Sequence, residues 1–91
     1  MRRCLTSIFA GQVQDVGFRY TVKNLARGFE VTGTVRNLSD GRVELVAEGE
    51  SDELKAFLEA IQNSEVGYFI KRVDTQWDEV VHHFRGFEIT R

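Results

Sequence analysis

Between Phe9 and Val22 the spacing of apolar residues changes, and no single regular element can hold both patterns. Leu5, Phe9 and Val13 share one parity, with small Ser7 and Gly11 between them, as in a strand over residues 5–13. From Phe18 onward, Phe18, Val22, Leu25, Ala26 and Phe29 fall on one face of a helix. The segment Gly11-Gln12-Val13-Gln14-Asp15-Val16-Gly17-Phe18-Arg19 is therefore a strand end, a short loop and a first helical turn. Gly28 is placed to end the helix in a left-handed cap. Val31, Gly33 and Val35 alternate with polar residues in a second strand that ends at Asn37. Ser39-Asp40-Gly41 signals a hairpin, and Val43, Leu45 and Ala47 alternate with Glu44, Val46 and Glu48 in a third strand. Ser51 is the expected cap of a second helix with Asp52 and Glu53 in its first turn, and Leu54, Phe57, Leu58 and Ile61 form its core face. Residues 68–77 and 84–90 supply the last extended segments.

The order strand–helix–strand–strand–helix–strand predicts an α+β, ferredoxin-like sandwich (βαββαβ), with two helices packed on one face of an antiparallel sheet. At 91 residues the chain makes one domain, 1–91. Right-handed crossovers make strands one and two parallel with strand three between them. Their C-terminal ends then share one sheet edge, roughly 10 Å apart. Arg19 follows strand one and Asn37 ends strand two, on the parity of Val31, Gly33 and Val35. The two should converge beside the N-terminus of the first helix.

That convergence has chemical content. A helix N-terminus carries unpaired N–H groups and partial positive charge, and an arginine there adds a planar fork suited to phosphate oxygens. The whole chain carries a net charge of −2, which argues against nucleic acid as a partner and leaves a local anion site on a mildly acidic protein. Its apolar runs are too short to span a membrane. A single cysteine, Cys4, permits no internal disulfide, so the cytoplasm is the expected compartment.

The segments Gly11–Arg19 and Val35-Arg36-Asn37-Leu38-Ser39-Asp40-Gly41-Arg42-Val43-Glu44, with the Gly86-Phe87-Glu88-Ile89 ending, closely resemble those of the acylphosphatases over nearly the whole chain. The resemblance implies hydrolysis of the carboxyl–phosphate bond of an acyl phosphate to a carboxylate and inorganic phosphate, with no cofactor and no metal. It places the catalytic residues at Arg19 and Asn37 and the phosphate-binding loop at Asp15, Val16, Gly17, Phe18 and Arg19. The implied partner is a small acyl phosphate, and the implied state a monomer. An acyl phosphate has a good leaving group, so it needs a clamp on the phosphoryl charge and an aligned water more than acid catalysis. Two departures stand out. The family usually has glycine where this chain has Asp15, and often Gly-Pro where it has Glu65-Val66-Gly67-Tyr68. A carboxylate in the loop keeps an alternative open: a weak or inactive module that binds phosphate or acyl phosphate.

Other residues read as architecture. His82 and His83 are adjacent, lack a third ligand at sensible spacing and suit an exposed loop. Trp77 and Tyr68 suit core or edge packing, and Cys4 a structural place on an early strand. RNA recognition on such a fold uses exposed aromatics on the open sheet face, where the third strand offers Glu44, Val46 and Glu48.

Overall fold

The computed structural model describes residues 1–91. The elements are β1 (Arg2–Gly11), α1 (Phe18–Ala26), β2 (Val31–Asn37), β3 (Val43–Glu50), α2 (Ser51–Asn63), a 3₁₀ turn (Glu65–Phe69), β4 (Ile70–Asp78) and β5 (Phe87–Thr90). The strands form one sheet in the order β4-β1-β3-β2-β5. Both helices pack on one face of it, as in ferredoxin-like α+β sandwiches. Leu5 and Phe9 of β1, Val35 of β2 and Val43, Leu45 and Ala47 of β3 bury that face against Phe18, Val22, Leu54, Phe57 and Ile61. Strand alternation and the i, i+3, i+4 helix faces supply this core directly from the sequence.

The register fixes the geometry that matters most. Phe9 pairs with Val43, and Val43 pairs with Asn37, so these three residues form one row across β1, β3 and β2. The C-terminal ends of β1 and β2 thus lie at one sheet edge, as the crossover argument requires.

Several local expectations are corrected. The sheet is mixed: β5 runs parallel to β2, pairing Gly33 with Phe87 and Val35 with Ile89. The final extended region splits because β4 leaves on the β1 side and the chain must cross the open face to reach β2. Residues 68 and 69 belong to the 3₁₀ turn, and Tyr68 is 89% exposed, whereas Trp77 packs at the core margin. Helix α1 closes without a left-handed glycine. Arg27, Gly28 and Phe29 donate to Asn24, Leu25 and Ala26, a run of i→i−3 bonds that tightens the last turn. Helix α2 is capped by extended Glu50, and the Ser51 N–H donates to the Met1 carbonyl at 3.1 Å.

The open face holds the largest departure. Glu48 has the outward parity of β3, yet it is wholly buried. The strap between β4 and β5 passes over it, and the N–H groups of Val81, His82 and His83 donate to its carboxylate at 3.1, 2.9 and 2.8 Å. His83 turns left-handed (φ 53) at the end of this wrap.

Candidate active site

The loop between β1 and α1 is shaped by two left-handed residues, Asp15 (φ 65) and Gly17 (φ 78), on either side of Val16. Gly17 is the residue preceding the helix and makes no side-chain cap, so the donors of the first turn stay uncapped. The first N–H to find a carbonyl is that of Thr21, which donates to Gly17 at 3.0 Å. From Asp15 to Tyr20 no N–H has a partner within the protein. Unpaired donors on a turn of alternating handedness form a concavity for an anion, and the helix dipole adds to it. No acidic residue in the first turn of α1 offsets that dipole.

Arg19 is the second residue of the helix and half-buried. With Val13, Asp15, Gly17, Phe18 and Tyr20 it lines a cleft of about 210 Å³. The neighbouring arginines are engaged elsewhere. Arg36 pairs with Glu44 at 2.8 Å across the β2–β3 ladder, and Arg42 pairs with Asp40 at 2.8 Å. The Arg42 N–H, backed by its guanidinium, holds the Asp40 carboxyl below its ordinary value. Arg19 makes no ion pair, which leaves its guanidinium free for a ligand. Asp15 lines the same cleft, exposed and equally without an ion partner. Its φ is the left-handed one that glycine holds without strain and that Asp tolerates better than most residues.

Asn37 closes β2 at the row shared with Val43 and Phe9. Its Oδ1 is buried and has no hydrogen-bond partner. Buried acceptors are almost always satisfied, so this orphan at a strand end, like Thr32 Oγ1 within the same strand, stands out. Asn37 is not among the residues that line the 210 Å³ cleft itself. What joins the two halves is a residue that periodicity passes over. Gln14 Nε2 donates to the carbonyls of Leu38 (2.8 Å) and Arg42 (3.0 Å), clasping the loop to the hairpin directly after Asn37. Gln14 lies inside the quoted motif, but nothing in its spacing tells a tie from a solvated side chain.

The chain as a whole is similar to known proteins. The acylphosphatase family profile matches residues 5–89. An acylphosphatase of Salinibacter ruber is 42% identical over 81 residues, covering 89% of this chain and 85% of that protein. One from Acaryochloris marina is 39% identical over 88 residues, covering 97% and 94%. The crystal structure of acylphosphatase from Bacillus subtilis superposes with a TM-score of 0.88 at 33% identity, over the full length of both chains. A chain matched by the family profile over residues 5–89 and in fold over its full length, with a free arginine at the helix start and an unpaired amide at the strand end, belongs to the acylphosphatase family.

Proposed function

We propose that Arg19 and the loop donors from Asp15 to Tyr20 clamp the phosphoryl group of an acyl phosphate, and that Asn37 positions the attacking water. The observation that carries this assignment is the orphaned Asn37 Oδ1. A carboxamide oxygen accepts a hydrogen bond and has no proton to trade near neutral pH, so its task is orientation. Water held there attacks phosphorus in line with the scissile bond. The P–O bond to the acyl group breaks, the carboxylate leaves with the bonding pair, and a phosphoryl oxygen takes the water's proton. Arg19 and the backbone N–H groups neutralise the equatorial oxygens, as donors do in an oxyanion hole. Residues 15–19 offer no serine, cysteine or histidine, so this reading contains no covalent phosphoenzyme.

In the same reading one domain, residues 1–91, carries the whole activity as a monomer, with neither nucleic acid nor a membrane as partner. The single free cysteine supports the cytoplasm as its compartment.

The test is hydrolysis of benzoyl phosphate with EDTA present, comparing the parent with Arg19→Ala and Asn37→Ala. Turnover that falls by at least about a hundredfold in both folded variants is expected, the scale for loss of one transition-state donor. A phosphorylated protein trapped on rapid quench would overturn direct attack by water. A parent that binds phosphate without turning over substrate would make the chain a binding module.

A further inference from the structure

We propose that Cys4, Glu48 and His82 form a binding site for a borderline-soft divalent cation of the zinc class, on the sheet face opposite the helices. Three segments far apart in sequence bring a thiol, a carboxylate and an imidazole together, with their ligand atoms all within 4.8 Å of one another. The pairing of β1 with β3 sets Cys4 opposite Glu48, and the strap folds His82 over both. These are the three donor types that zinc accepts, and three protein ligands leave a fourth tetrahedral position for water.

The electrostatics favour a cation. Glu48 is wholly buried and makes no ion pair with a lysine, arginine or histidine; the backbone N–H groups of the strap and the Cys4 thiol face it. A buried carboxylate is usually paired or coordinates a metal. Asp78 pairs with Cys4 across the β1–β4 ladder and adds a second negative charge nearby. Those N–H bonds also fix the carboxylate's orientation, as outer-shell partners do at metal sites. His82 is exposed, its ring stacked beside that of Phe84 at 4.8 Å, which leaves a path from solvent. Metal–ligand bonds of about 2.0–2.3 Å need the ligand atoms somewhat closer together, a closure the exposed His82 supplies by rotating. Burial, then the charges of Glu48 and Asp78, push the Cys4 thiol pKa up. Binding exchanges its proton for the cation: thiol plus M²⁺ gives the metal thiolate plus H⁺.

The cluster lies on the sheet face and at the strand ends away from Arg19 and Asn37, so it is tested independently of the proposed catalysis. Untagged, chelator-stripped protein is titrated with Co²⁺ in the absorption spectrometer and with Zn²⁺ in a thermal melt. The expected results are a saturable cobalt–thiolate charge-transfer band that Cys4→Ser abolishes and a Zn²⁺-dependent rise in Tm. His82→Ala should weaken binding at least about tenfold. Glu59→Gln, an exposed carboxylate of α2 on the other side of the sheet, should bind like the parent. Because Glu48 also holds the strap, Cys4→Ser and His82→Ala carry the test, each checked for folding by circular dichroism. A folded parent with no thiolate band, or a band that survives in Cys4→Ser, would overturn the proposal.

Discussion

Gln14→Ala asks whether the tie between loop and hairpin is part of the catalytic apparatus. The substitution removes two hydrogen bonds, of 2.8 and 3.0 Å. Neither carbonyl is orphaned, because the Leu38 carbonyl still receives the Gly41 N–H (3.2 Å) and the Arg42 carbonyl the Leu38 N–H (2.8 Å). The cost is therefore two ordinary bonds without a desolvation penalty, about 1–3 kcal/mol in all. Each kcal/mol lowers Tm by about 4–8 °C in a domain of this size. The kinetic effect should be larger than the stability loss explains. The proposed phosphoryl clamp lies wholly within residues 15–20, whereas the water-positioning amide lies one residue before Leu38. Without the tie the two shift relative to each other, and a displacement of about 1 Å costs on the order of a hundredfold. We expect kcat to drop at least about tenfold, with KM for benzoyl phosphate little changed. The assay pairs urea unfolding with steady-state hydrolysis at 25 °C, where the variant remains folded. A variant that loses the predicted stability and keeps its kcat would show that the tie is architectural only.

Three further outcomes follow from single contacts. Asp15→Gly should lower KM, since it takes a free carboxylate out of the anion cleft, and the gain should shrink as salt screens the charge; unchanged stability is expected, because relief of left-handed strain offsets glycine's larger unfolded-state entropy. A KM that stays level or rises would count against a repulsive Asp15. Glu48→Gln, melted in EDTA, should lose about 2–4 kcal/mol, because an NH₂ replaces one acceptor among three N–H donors while the strap can open to water; a loss below about 0.5 kcal/mol would mean that the strap is held by other contacts. Gly33→Ala should cost at least about 2 kcal/mol in urea midpoint measurements, since its Cβ would run into the Val46 carbonyl of the paired strand; a neutral result would show that β2 and β3 can part at that point.

The sequence carried the fold wherever one face of an element is buried. Parity in β1, β2 and β3 and the faces of α1 and α2 were legible because burial leaves a periodic trace, and the shared edge of β1 and β2 then followed from handedness alone. The two catalytic candidates were legible as types at suggestive positions, Arg19 at a helix start and Asn37 at a strand end. The freedom of both is visible only in three dimensions. Arg19 is available because Glu44 and Asp40 occupy Arg36 and Arg42, and Asn37 because its Oδ1 is buried without a partner. Gln14 and Glu48 were illegible for one reason: each is fixed by long-range contact with a segment, the hairpin turn or the strap, that has no periodicity of its own; of the segment expected over 84–90, only its parallel pairing with β2 was illegible. His82 lacked ligand partners at any sequence spacing, and the strap supplies them from β1 and β3.

The strap also bears on the active site, because the chain builds the same device twice. At one end of the β1–β3 ladder, successive N–H groups of Val81, His82 and His83, next to a left-handed residue, close on an anion. That anion is the chain's own Glu48. Burial raises its pKa, but the N–H bonds from His82, Val81 and His83, with Phe84 beyond them, outweigh the burial and hold it below the ordinary carboxylate value. The lowering comes from backbone donors, in a stretch that includes no lysine or arginine before Arg85. At the other end, the donors from Asp15 to Tyr20 include those of two left-handed residues and find no acceptor within the protein. They have two advantages over the strap: a helix dipole behind them and the unpaired guanidinium of Arg19 beside them. If the weaker arrangement stabilises a carboxylate against full burial, the stronger one has ample field for a phosphoryl group in an open cleft. The Asp15 carboxylate cannot fill it in the way that Glu48 fills the strap, because Asp15 is exposed and accepts none of these N–H groups.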